Sequence, residues 1–84
     1  MTLPRIIFTR HAEEMLVERN IERAWIESTI ASPDSVEADP KRPEVVRAYR
    51  RIPECGGRFL RVVYALAGDS VRIITAFFDR RHIP

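Results

Sequence analysis

The spacing of apolar side chains changes character once along the chain, near residue 33. Before that point it is helical. Ala12, Met15, Leu16 and Arg19 recur at i, i+3, i+4 and i+7, with Glu13, Glu14 and Glu18 largely off the stripe. Thr9 stands where an N-cap belongs, its hydroxyl placed to accept from the first free backbone N–H groups. Asn20 tolerates the left-handed conformation that closes a helix. A second helix is predicted over residues 22–31, carrying Ala24, Trp25, Ile26 and Ile30 and ended by Ser32-Pro33-Asp34. Ahead of both helices, Ile6-Ile7-Phe8 reads as a short strand or an extended lead-in.

Beyond residue 34 the period becomes two. Residues 35–38 form a short candidate strand, and Asp39-Pro40-Lys41-Arg42-Pro43 a loop. In 45–52, Val46, Ala48 and Ile52 alternate with Arg47, Tyr49 and Arg51. Pro53-Glu54-Cys55-Gly56-Gly57 is a turn. In 58–66, Leu60, Val62, Tyr64 and Leu66 alternate with Phe59, Arg61, Val63 and Ala65. Ala67-Gly68-Asp69 connects to a last strand over 70–78, apolar on both sides. Helices first and strands after them predict an α+β domain spanning residues 1–84. In it two N-terminal helices pack on one face of a three- to four-stranded antiparallel sheet. Ala48, Ile52, Leu60, Val62 and Leu66 are expected under the helices, and the opposite face is left to solvent.

Composition narrows the classes. At 84 residues there is room for one domain, and 45% hydrophobic with 31% charged residues describes a folded soluble chain. The single cysteine, Cys55, cannot form an internal disulfide, and no Cys/His set has zinc spacing. Apolar runs fall far short of the ~20 residues of a membrane helix, and no signal-peptide pattern opens the chain, so a reducing cytoplasm is expected. The net charge of +2 conceals an asymmetry: residues 1–40 carry −4 and residues 41–84 carry +6. Thirteen of the fourteen basic residues are arginine, whose planar fork pairs with phosphate and stacks on bases. Arginine is also what a GC-rich genome supplies wherever a surface cation is wanted.

The open face is where binding chemistry gathers. Arg47, Tyr49, Arg51 and Arg61 share it. Arg72 joins them if the even positions of the last strand point outward, Thr75 if the odd ones do. Tyr49, Phe59 and one of Phe77 or Phe78 interleave rings with the cations, as in single-strand nucleic-acid platforms. Asp79-Arg80-Arg81-His82 adds a basic tail near the sheet edge. His11 falls in the first turn of a helix, where the positive end of the dipole favours a neutral ring able to act as a base. Neither a metal nor an organic cofactor is expected, since His11 and Glu14 alone are too few ligands. Cys55 lacks an activating base.

Thr9-Arg10-His11-Ala12-Glu13, followed by Met15 and by Glu18-Arg19-Asn20-Ile21, resembles the opening of domain-of-unknown-function family 4258. Tyr49-Arg50-Arg51, the strand 60–64 and Ile73-Ile74-Thr75-Ala76-Phe77 resemble its later blocks, so the likeness covers about residues 8–81. Asn20 stands where that family has glycine, a mild change because both tolerate positive φ. The family is similar in expected fold to the BrnT and RelE ribonuclease toxins of bacterial toxin–antitoxin pairs. The resemblance implies His11, Arg19 and Thr75 as the family-pattern residues, with Arg50 beside them, and a cognate antitoxin as partner.

Metal-free RNA cleavage needs a base for the 2′-hydroxyl, a cation on the phosphorane and an acid for the leaving oxygen. His11 would supply the proton transfer and Arg19, with Arg50 or Arg61, the cation. Tyr49 or Tyr64 would position the nucleotide, with Arg47, Arg51, Arg72, Arg80 and Arg81 binding RNA. The leading expectation is a metal-independent endoribonuclease of toxin–antitoxin type acting on RNA, including mRNA at the ribosome. The alternative is a non-catalytic RNA- or protein-binding module on the same scaffold. A homodimer using an exposed sheet edge is a third reading that no residue singles out.

Overall fold

The computed structural model describes residues 5–79. Its elements are β1 (Arg5–Ile7), α1 (Arg10–Glu18), α2 (Arg23–Ala31), β2 (Ser35–Ala38), β3 (Val45–Ile52), a 3-10 turn (Pro53–Cys55), β4 (Arg58–Ala67) and β5 (Ser70–Asp79). The architecture is α+β, but the sheet is larger than the sequence pattern predicts. Five strands lie in the order β1-β5-β4-β3-β2, and β1 pairs parallel to β5 while every other pair is antiparallel. The three residues of β1 are too few to show a period. Their pairing is made possible by the α1–β4 excursion, which returns the chain alongside them.

Both helix ends of α1 follow from local chemistry. Thr9 Oγ1 accepts the Ala12 N–H at 3.1 Å. At the other end Asn20 adopts φ 54°, and the N–H groups of Asn20 and Ile21 donate to the Val17 and Leu16 carbonyls. That pair of bonds is a Schellman closure, and it turns the chain into α2. Glu22 precedes α2 without a side-chain cap, so α2 begins one residue later than expected.

The helices lie on one face, α1 over β5 and α2 over β3 and β4. Between the layers are Ala12, Met15, Leu16, Ile26, Val46, Ala48, Ile52, Leu60, Val62, Tyr64, Val71, Ile73 and Ala76, all buried. Leu66, expected in this core, is half exposed, because it sits beside the 67–69 turn at the end of the β4–β5 hairpin. The two-sided apolar character of β5 is resolved by a bulge. The register slips between Val63 and Tyr64, so that Ile73 opposes Tyr64 while Thr75 opposes Val63. Val71 and Ile73 therefore face the helices before the irregularity, and Ala76 after it.

Candidate nucleic-acid interface

Strand register arranges the uncovered face in cross-strand rows, about 7 Å from one row to the next along a strand. At one end Arg51 opposes Phe59, which opposes Asp79. The next row is Ser35, Tyr49, Arg61 and Phe77, and after it come Glu37, Arg47, Val63 and Thr75. The last row holds Val45, Ala65, Arg72 and Ile7. Each row contributes one arginine: Arg51, Arg61, Arg47 and Arg72. The guanidinium groups thus form a staggered track along the sheet rather than a cluster.

The side chains around that track hold it in place. The Arg61 guanidinium carbon lies 5.1 Å from the Phe77 ring centre and 5.8 Å from that of Tyr49. That of Arg51 lies 5.4 Å from Phe59. Arg47 pairs with Asp39 at 3.1 Å, and Asp39 in turn accepts the backbone N–H groups of Lys41 and Arg42, tying the 39–42 loop down. Those two backbone bonds, aided by Arg47, hold the Asp39 carboxyl below its usual range. Among the described residues Arg51, Arg61 and Arg72 have no carboxylate partner. Tyr49, expected at the surface, is only 4% exposed beneath these groups. Burial raises its phenol, the nearby Arg61 charge works against that rise, and a hydrogen bond with Glu37 reinforces it.

The remaining predicted residues lie at the edge of that face or away from it. Arg19, the C-cap residue of α1, is exposed in line with the buried stripe, and its head reaches the edge of β5. There Nη1 donates to the Ala76 carbonyl at 2.7 Å and to Thr75 Oγ1 at 3.2 Å. Met15 Sδ accepts from the Ala76 N–H and from Thr75 Oγ1 at the same place. His11 is exposed on α1, about 80° around the helix from Arg19 and about 12 Å before it along the axis, with Met15 between. The β5-edge contact brings together Arg19 and Thr75, two of the residues that the resemblance singles out. By register Thr75 falls in the same row as Glu37, Arg47 and Val63, so this contact sits at the β5 edge of the open face, whereas His11 stays with α1 on the other side of the sheet.

A single surface joining His11 to Arg47, Arg51, Arg61 and Arg72 is therefore not what the fold builds. Arg50 is on the helix side of β3, where Nη1 donates to the Ser32 carbonyl at 2.6 Å and closes α2. It belongs to neither group. Tyr64 lies under the helices, its phenol raised by burial, and is not placed to touch a nucleotide. Phe77 faces the open side, while Phe78 packs edge-on against Trp25, 6.0 Å between ring centres. Arg80 and Arg81 lie outside the described residues.

The pattern of the sequence missed Glu37, Asp39 and Met15 as partners. Pairing 35–38 antiparallel against 45–52 would have placed Glu37 beside Arg47 and Tyr49. No comparable signal marks the Met15 thioether, which reads as core. Among the described residues no group of His, Cys, Asp and Glu could hold a metal ion, and no helix is long and apolar enough to cross a membrane.

No curated protein and no solved structure matches the chain. A family model does match it, over residues 8–78, from just after β1 almost to the end of β5. The span takes in the Thr9 cap, the Arg19–Thr75 contact and all four arginines of the open-face rows, and the chain accordingly belongs to the family described as Domain of unknown function (DUF4258).

Proposed function

We propose that this domain acts on RNA, holding an extended single strand along the open face. The observation that carries this reading is the spacing of Arg51, Arg61, Arg47 and Arg72, one in each of four successive rows. A linear polyanion matches a linear series of cations, and arginine offers each phosphate a paired donor. Its test is the salt dependence of binding to a labelled RNA oligomer. Three or four phosphate contacts give log Kobs a slope against log salt of roughly −2 to −3, and Arg72→Gln lowers that magnitude by about 0.7. A salt-independent affinity, or one that Arg51→Gln and Arg72→Gln leave unchanged, overturns the reading.

A second reading, metal-independent endoribonuclease activity of the toxin–antitoxin type, is favoured by the contact between Arg19 and Thr75. These two residues of the family pattern are 56 apart in the chain and within hydrogen-bond distance. RNA leaving the track past Phe77 would meet the β5 edge. There Arg19 would steady the developing phosphorane, and the exposed His11 would take the 2′-hydroxyl proton. A relationship to BrnT and RelE toxins, and an antitoxin partner, belong to this reading. RNA cleavage in the presence of a chelator, lost in His11→Ala while RNA binding persists, supports it. Binding without cleavage leaves the domain as a non-catalytic module.

A further inference from the structure

Rings interleaved with cations on a sheet ordinarily suggest bases stacking on the rings. The packing here speaks against that. Tyr49 is 4% and Phe59 8% exposed, too little to receive the face of a base. Arg61 stands between Tyr49 and Phe77, and Arg51 stands against Phe59. The Tyr49 hydroxyl is engaged by Glu37, which removes the central neutral group that could read a base edge. Arg61 Nε is sealed from solvent and has no hydrogen-bond partner, so its terminal nitrogens are what a ligand can reach. The rings fix Arg51 and Arg61, whose guanidinium groups cover the rings.

We infer that the open face grips the phosphodiester backbone and is indifferent to the bases. This rests on the proposed RNA reading and sharpens it, from a nucleic acid in general to its sugar–phosphate chain. Arg51 and Arg61 present ring-held forks, and Arg72 a further guanidinium, to an anion that every nucleotide carries, and phosphate contacts of this kind position a strand without reading its sequence. Selectivity among sequences, if this protein has it, must come from elsewhere than the four rows.

The experiment compares an RNA oligomer in four homopolymeric forms with an abasic phosphodiester oligomer of the same length, and with polyglutamate. The expected result is that all five phosphodiesters bind within about threefold of one another, and that Arg51→Gln weakens all of them in parallel. Arg51 is exposed, so that variant retains the fold, and Arg61→Gln, checked by circular dichroism, serves as the second. Loss of about fivefold or more per missing base in the abasic oligomer, or a tenfold preference for one homopolymer, overturns the inference while leaving RNA binding intact. Tight binding of polyglutamate with none of any phosphodiester overturns the RNA reading itself.

Discussion

Arg19 and Ala76 are joined across the edge of the sheet: the guanidinium of one donates to the main-chain carbonyl of the other at 2.7 Å. Met15, one turn earlier on α1, accepts the Ala76 N–H on its sulfur at 3.2 Å. β1 pairs with β5 only from Ser70 to Arg72, so beyond that the outer edge of β5 has no β1 partner. Two side chains of α1 therefore satisfy backbone groups that a longer β1 would have satisfied, and they also block the edge against another strand.

Met15→Leu tests this arrangement. By volume the exchange is among the mildest core substitutions, costing less than about 1.5 kcal/mol. Leucine has no acceptor, however, and the Ala76 N–H would be left buried and unpaired, which adds about 1–3 kcal/mol. The variant is expected to unfold at clearly lower urea concentration with an unchanged m-value, and the Ala76 amide to lose hydrogen-exchange protection. Arg19→Ala is expected to cost about 1–2 kcal/mol through the carbonyl on the same residue.

Asn20 offers a cleaner backbone test, because φ 54° is a conformation that a β-carbon resists. Asn20→Ala is expected to destabilise by about 1 kcal/mol, whereas Asn20→Gly stays within a few tenths of wild type. Thermal unfolding of the two variants side by side resolves the order. Equal melting temperatures would mean that the Schellman closure does not hold α1 to α2.

These local devices were also the most legible part of the sequence. Thr9, Asn20 and Pro33 mark helix ends by their own chemistry, and the alternation in 45–52 and 58–66 fixes which residues face the helices. What the pattern could not supply was long-range. Nothing in Ile6-Ile7 tells that it pairs parallel to Val71-Arg72, and a bulge that reverses the facing of β5 leaves no mark in a strand with apolar residues on both sides. The open face was legible as a set of arginines and rings. The burial of Tyr49 and Phe59 was not, because alternation assigns a side and not a depth. The separation of His11 from that face follows from the layer α1 joins, which the expected fold already put opposite the open face.

Tyr49 and Tyr64 are the two tyrosines of the chain, and burial raises both above the ordinary value of 10.0. A raised phenol contributes stability that is fully present below pH 10 and is lost as pH climbs through the folded value. At pH 10 the unfolded chain has about half of its tyrosine ionised, and the native protein is expected to show far less absorbance from tyrosinate. Native and urea-unfolded titration curves that coincide would contradict the burial of Tyr49 beneath Arg61.

Asp39 gives the opposite sign. Its carboxyl is held below 3.8 by the Lys41 and Arg42 backbone N–H groups and by Arg47. A depressed carboxyl stabilises the fold above the unfolded value, and that contribution disappears as pH falls through the lower folded value. The site is partly exposed, so the effect on global stability is small and salt-sensitive. Its local consequence is larger, because Asp39 orders the loop carrying Arg42 and holds Arg47 in the third row of the track. Asp39→Ala is expected to bind phosphodiester with an altered salt slope, as Arg47 is released to a ligand, and to abolish the pH dependence of loop amide exchange below pH 4. Wild type and variant showing the same pH profile would mean that the carboxylate does not order this loop.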